Sequence, residues 1–354
     1  MIARSAERNV SRHVPIEHGS RKLRFVAVDS YNIELRDGES FLGDRANKRA
    51  FQAMVDDWRR RLRRDGGDPL KHRPTEELYK DKKELERILV SGDPEAAGVL
   101  IGSIEQFAGE LAAVIARLLE TPEWRDAQCI AIGGGFREGR VGEVVIGRAS
   151  VLMRANGLSI GLVPLRHHPE QAGLLGGVHL APEEVLRKYQ GILAVDIGGT
   201  NVRTGIVEPD IDADGSILDA RVHSYELWRH ADRKPDKQEL LDHMLARLRH
   251  IAEAAAREGF AVAPFVAIGC PGLFRRDGTI LRGSQNLPGN WDGFNLADYV
   301  ATELPRVREG LTCVVTHNDA VVQGLSEWPR MRRLKHWGVL TIGTGLGNAR
   351  FTNR

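Results

Sequence analysis

At 354 residues the chain is long enough for two sizeable hydrophobic cores and too long to be comfortable with one. A formal net charge of +2 gives no large field toward nucleic acid or an anionic membrane, which excludes binding driven by bulk charge. Cys129, Cys270 and Cys313 are odd in number, far apart and set in apolar strand-like stretches, so they read as buried free thiols of a reducing compartment rather than bridges or zinc ligands.

From the front, residues 1–20 are polar and expected to be mobile, and Met1 to Arg24 contain no apolar signal core. No run approaches about 18 apolar residues, so a soluble cytoplasmic protein is expected. Leu23–Ser30 and Tyr31–Leu35 read as strands, and 44–64 carries apolar residues at helical spacing. The charge run 59–64 lies in that helix, flanked by Asp56, Asp57 and Asp65, and reads as a solvated face. Residues 65–95 are heavily charged and read as a solvent-facing insertion with a helix at 76–90. Asp93-Pro94 then opens a long amphipathic helix, about 94–119. A buried strand 129–133, a helix near 142–156, a strand 159–164 and a short helix after Pro169 complete this half, and 181–190 reads as a helical connector. The second half runs hairpin (192–207), strand (220–228), helix (236–258), strand (264–269), loop (270–295), helix (296–302), strand (311–316), helix (320–328) and hairpin (337–352). Such alternation, opened by antiparallel hairpins, predicts mixed-sheet α/β lobes.

The two hairpins are near copies, about 145 positions apart: Asp196-Ile-Gly198-Gly199-Thr200 and Ile342-Gly343-Thr344-Gly345. Glycine lets backbone N–H groups approach an anion closely, and an ordinary hairpin turn also wants it. Two matched loops suit two lobes gripping one polyphosphate. Asp196 would repel that ligand unless a cation stands between them, which makes it a candidate Mg²⁺ partner through water. Gly133, Gly134 and Gly135 follow a buried strand and precede a helix, where an adenine or ribose can lie against backbone, or where a tight turn simply needs them. Asn318-Asp319 sits at the carboxyl end of a strand, where α/β sheets place ligands, although either residue also suits a helix cap. Beside a phosphate site, Asp319 becomes a candidate general base for a hydroxyl attacking the γ-phosphoryl group. The loop with Asn286 and Trp291 offers an amide for sugar hydroxyls and an indole for a ring face.

Asp196-Ile-Gly-Gly-Thr200, Gly269-Cys-Pro-Gly272, Asn286-Leu-Pro-Gly289-Asn-Trp291, Asn318-Asp319-Ala320 and Gly343-Thr-Gly-Leu-Gly347 together resemble the N-terminal half of ROK-family sugar kinases, of the actin/hexokinase superfamily. Residues 92–119, 129–135 and 172–176 look like that family's C-terminal half, placed in front. The resemblance therefore implies a two-lobed actin-like, ribonuclease H-like ATPase fold with mixed sheets, circularly permuted. One lobe would comprise 1–189 with 338–354, the other 190–337. It implies ATP and Mg²⁺, Asp319 as base, and Asn318 as a sugar ligand beside Asn286. The family's cysteine-rich zinc motif is absent, so no structural zinc is expected. Its Glu-x-Gly-His motif is also absent as such; Glu17 and His18 fall near that place when the chain is read as a circle.

These readings converge on ATP-dependent phosphorylation of a hexose, glucose or a close relative, at a primary hydroxyl. The expected partners are sugar and ATP, with no nucleic acid, no membrane and a homodimer as an option. The alternatives are a non-catalytic sugar- or nucleotide-sensing pseudokinase on the same fold, favoured by the altered Glu/His motif, and an actin-like ATPase without a small acceptor.

Overall fold

Alternating and continuous apolar runs resolve into ten strands in two five-stranded sheets in the computed structural model, which describes residues 17–64, 67–71 and 73–354. In chain order these are β1 (Val26–Tyr31), β2 (Cys129–Gly133), β3 (Gly161–Pro164), β4 (Gly191–Ile197) and β5 (Val202–Ile211). They continue with β6 (Ile217–Trp228), β7 (Val262–Cys270), β8 (Cys313–Asn318), β9 (His336–Ile342) and β10 (Leu346–Asn353).

One sheet has the order β8-β7-β4-β5-β6, the other β1-β10-β9-β2-β3. Both use one plan. A central antiparallel hairpin (β4/β5 or β9/β10) carries one more antiparallel strand outside its second member, and two parallel strands outside its first. The second sheet draws on distant parts of the chain, because β1 pairs with β10, Val26 opposite Asn353 and Tyr31 opposite Ala349. β4 is buried along its whole length, as a strand covered on both faces must be.

Around the sheets stand α1 (Lys48–Arg63), α2 (Thr75–Lys80), α3 (Lys82–Ser91), α4 (Pro94–Leu119) and α5 (Arg140–Ala155). Then come α6 (Pro169–Gly176), α7 (Glu183–Lys188), α8 (Lys237–Arg257), α9 (Leu296–Glu303) and α10 (Asp319–Leu325). Asp93 caps α4 by accepting from the Ala96 N–H at 3.0 Å, with Pro94 in the first turn. α4 is long and apolar enough to cross a membrane by composition, yet Leu100, Phe107, Leu111 and Ile115 are fully buried in the protein's own core. α6 and α10 lie between the sheets, joining Leu174, Leu175, Val321 and Val322 to residues of both, such as Ala194, Ala267, Val339 and Phe351. They touch backbone to backbone: a Cβ on Gly176 would collide with the Val322 carbonyl.

Several expectations change. The insertion 65–95 is not merely solvent-facing, since Leu70, Leu78, Tyr79, Leu85 and Ile88 are buried with α1, α4 and Phe136. Its single helix is two, divided at Asp81, which turns to cap α3. The 59–64 run is not wholly a solvated face either. Arg59 is buried, donating to both Asp68 oxygens and, at 2.7 Å, to Thr75 Oγ1. Burial would raise the Asp68 carboxyl, but hydrogen bonds from Arg59 and Arg63 outweigh it and hold it below the usual range. Of the three free cysteines only Cys270 is buried; Cys129 is half-buried and Cys313 exposed, because each lies at the start of its strand. Residues 1–16 and Asp65 lie outside the described residues, whereas 17–20 run along the edge of β8, Gly19 N–H donating to Thr316 O at 2.9 Å.

Candidate active site

The carboxyl ends of β4, β7, β8, β9 and β2 all face the space between the two sheets, a cleft of about 690 Å³. That volume is ordinary for a small-molecule site. Gly198, Gly199 and Thr200 at the first hairpin tip and Gly343, Thr344 and Gly345 at the second line it, with Gly134, Gly135, Asn286 and Asp319. The tips meet: Thr200 Oγ1 and Thr344 Oγ1 are 3.0 Å apart. Asn286 is wedged against both loops, 3.0 Å from a Cβ added at Gly199 and its Nδ2 3.0 Å from one added at Gly345. None of the four hairpin glycines has positive φ, so the absent Cβ rather than unusual backbone is what they supply. Gly134 differs, with φ of +82° and no room for a Cβ against the Ile342 backbone.

Neighbouring segments hold the tips. The Lys48 N–H, in the first turn of α1, donates to Gly343 O at 2.9 Å, and Ala231 N–H donates to Thr200 O at 3.2 Å. His230 donates its Nε2 proton to Gly198 O at 2.8 Å.

Asp319 opens α10 and reaches the cleft. Burial, and then the negative charge of Asp196, push its carboxyl up to about 7, against the pull of the Ala320 backbone N–H. Such a group is divided between acid and base at neutral pH, the range in which a general base is effective. Asp196 is 1% exposed. Burial raises its carboxyl too, and Arg203 opposes this through a 2.9 Å bond to Oδ2. Gln323 lies close enough to bias it, but no hydrogen bond of ordinary geometry reaches Oδ1. α6 presses on the same carboxylate, and a Cβ at Gly173 would strike it.

Among the described residues no three His, Cys, Asp or Glu side chains gather as a metal site. A lone carboxylate with one unsatisfied oxygen fits a cation that a phosphate chain carries and water surrounds, since Mg²⁺ keeps much of its hydration shell.

Other expected site residues lie elsewhere. Asn318 is buried and its amide is engaged at both ends: Oδ1 accepts from Ala320 N–H and Val321 N–H, and Nδ2 donates to Gly272 O. Glu17 pairs with Arg276 at 3.4 Å, and His18 Nδ1 accepts from Thr316 N–H at 3.2 Å. Neither lines the cleft, and Gly133 is packed behind it against Leu165. Trp291 offers no ring face to a ligand; it is 1% exposed, edge-on to Phe294, and donates Nε1–H to Pro288 O at 2.8 Å.

Several cleft residues escape the motif-based reading. Arg203 is directly across the hairpin from Asp196 in the β4/β5 register, a pairing that counting through the turn would reveal. Lys48, Lys82, Arg229 and Glu34 also line the cleft, and no motif marks them.

No known family profile matches the chain. The glucokinase of Thermotoga maritima is 27% identical over 164 residues, which are 46% of this chain and 44% of that protein. A ROK family glucokinase from Streptomyces griseus, solved with glucose and AMPPNP, overlays 46% of each chain at 27% identity and a TM-score of 0.34. A ROK hexokinase from Thermus thermophilus covers 45% of each at 22% identity and a TM-score of 0.31. The chain thus spans about half the length of the curated relative it matches. Over that half it resembles ROK-family sugar kinases.

Proposed function

We propose that the chain is an ATP-dependent sugar kinase that phosphorylates a hexose at a primary hydroxyl in the cytoplasm. One observation carries this reading: a carboxylate poised near neutrality, Asp319, opens onto the cleft in which two glycine-threonine hairpins meet. Asp319 takes the hydroxyl proton as the oxygen bonds to the γ-phosphorus and the bond to the bridging oxygen breaks, releasing ADP. Thr200, Thr344 and the hairpin backbone hold the phosphate chain, with Asn286 between them reaching either phosphate or sugar. Mg²⁺ bound to the phosphates would neutralise their charge, with Asp196 and its free Oδ1 facing it through water. A closed cleft keeps water from competing as acceptor.

The connectivity supports a circular permutation. Numbered from β4, the first sheet reads third-second-first-fourth-fifth in strand order. The other sheet gives the same reading only when counting starts at β9, passes to β10 and resumes at β1. A variant with 354 joined to 17 by a short polar linker, and opened within 189–190, should fold and keep its ligands. A relinked chain that folds only with the connector intact would overturn the permutation.

Release of ADP, measured against a panel of hexoses and N-acetylhexosamines, tests the activity. Sugar-dependent release supports it, and none from any sugar overturns it. A non-catalytic sensor is the second reading, favoured by the placement of Asn318, Glu17 and His18 away from the cleft. It predicts sugar or ATP binding by calorimetry without turnover.

A further inference from the structure

The charged insertion supplies part of the cleft. α2 and α3 meet beside Tyr79, which is buried, and both Lys48 and Lys82 set their ammonium groups over its ring, at 5.0 and 3.7 Å from the centroid. Arg229, just past the end of β6, faces the same cleft from the other sheet. Lys48 itself grips Gly343 through its backbone N–H, and Arg229 precedes the segment that grips Gly198 and Thr200, so the three cations flank the paired hairpin tips.

Some nearby carboxylates have other partners, while Glu34 also lines the cleft and Glu76, Asp232 and Glu138 still favour the charged lysines at longer range. Glu76 pairs with Lys80 at 3.2 Å, Asp232 with Arg229 at 3.0 Å, and Glu138 stands 3.3 Å from His168. Among the described residues no carboxylate makes an ion pair with Lys48 or Lys82, although both are half-buried. Like charges gathered in a recess cost free energy unless an anion joins them. Burial, then Lys48, draws Lys82 down to about 8, and burial, then Arg229, lowers Lys48.

We propose that Lys48, Lys82 and Arg229 form a phosphate clamp across the cleft. It takes the phosphate chain of the nucleotide on the side of the hairpin tips bordered by Phe136 and Glu138. This assignment rests on the kinase reading and extends it to residues that no hairpin motif contains. Guanidinium and ammonium groups suit the task, because charge-assisted bonds to phosphate are strong and a bridging anion removes their mutual repulsion.

The test compares ADP with adenosine, by calorimetry, on the wild type, Lys48→Met, Lys82→Met, Arg229→Met and the exposed control Lys83→Met. ADP affinity should fall about tenfold or more in the first three and hold in the control, while adenosine affinity stays unchanged. The unliganded variants should melt no lower than wild type, since repulsion is relieved. Unchanged ADP affinity, or equal losses for ADP and adenosine, overturns the clamp. Inorganic tripolyphosphate should displace ADP from the wild type and not bind the double variant. Tripolyphosphate that binds without displacing ADP would give the cations to a separate phosphorylated ligand and also overturn it. Hexose-dependent turnover of the wild type judges the kinase reading independently. Should that fail, tripolyphosphate binding still reads the clamp.

Discussion

Thr200 and Thr344 share a hydrogen bond of 3.0 Å between their side-chain hydroxyls, although 144 residues separate them in the chain. The two hairpin tips therefore close on each other in the structure. On the proposed kinase reading, a phosphate entering between the tips would replace that bond with bonds to both hydroxyls. Thr200→Val and Thr344→Val should each weaken ATP binding, and the double variant should lose less than the sum, because the two groups act on one ligand. Strict additivity in a double-mutant cycle would show that they serve separate partners.

On the proposed kinase reading, Asp319 would tie activity to pH. With its carboxyl near 7, kcat/KM should rise with pH and level off above about 7, the acid limb of a base that must be ionised. Asp319→Asn should lower kcat about 10²–10⁴-fold and abolish that limb, with little change in KM for ATP. Near wild-type turnover in a folded Asp319→Asn protein would leave this residue a helix-opening role only.

The same group makes a stability prediction of opposite sense to an ordinary ion-paired aspartate. Its folded pKa lies above the model-peptide value of about 3.9, so the folded state binds the extra proton between about 4 and 7. Stability from this residue is present at low pH and is lost as pH rises through 7. Asp319→Asn should thus melt higher than wild type at pH 8 and about equally at pH 4. Chemical denaturation at the two pH values checks it.

Arg203→Met should be the more damaging change for the fold. It leaves the buried Asp196 carboxylate without its counter-charge, a loss of about 3–5 kcal/mol in comparable buried pairs. The deficit should widen as pH rises, since protonation is the remaining way to neutralise Asp196. Urea titrations at pH 5 and 8 measure both the size and the trend. A deficit independent of pH would point to lost packing instead.

Space around the hairpins separates folding from binding. A Cβ at Gly198 meets nothing closer than Asn201 O at 3.5 Å, whereas one at Gly134 collides with the Ile342 backbone. Gly198→Val should fold and bind ATP weakly; Gly134→Ala should lower the melting temperature itself. A folded Gly198→Val protein with wild-type ATP affinity would make that loop an ordinary turn.

What the sequence made legible follows from the range of its signals. The hairpins and α4 rest on local periodicity and capping, and they emerge within a few residues of their expected bounds. Asn318 was harder, because a cap and a sugar ligand use the same amide, and only the Gly272 carbonyl, 46 positions away, shows how it is spent. Trp291 likewise reads as a platform until its burial against Phe294 is seen. In α2 and α3 the density of charge hid the Leu78, Tyr79, Leu85 and Ile88 stripe that anchors them. Arg203 needed only the hairpin register, and the cations over Tyr79 needed the tertiary fold.

The pairing of β1 with β10 also bears on how the protein is made. On the ribosome, β4 to β8 emerge close together and can assemble as they appear. The strands β1, β2 and β3 emerge earlier, yet the hairpin that sits between β1 and β2 is translated more than 200 residues later than β2. Until it arrives, the edge of β2 that pairs with β9 stays open, although α1, α3 and α5 already cover much of α4, and pairing so distant in sequence is slow to form. The nascent first half is therefore the aggregation-prone species, and the one through which holdase chaperones would govern the yield of folded protein.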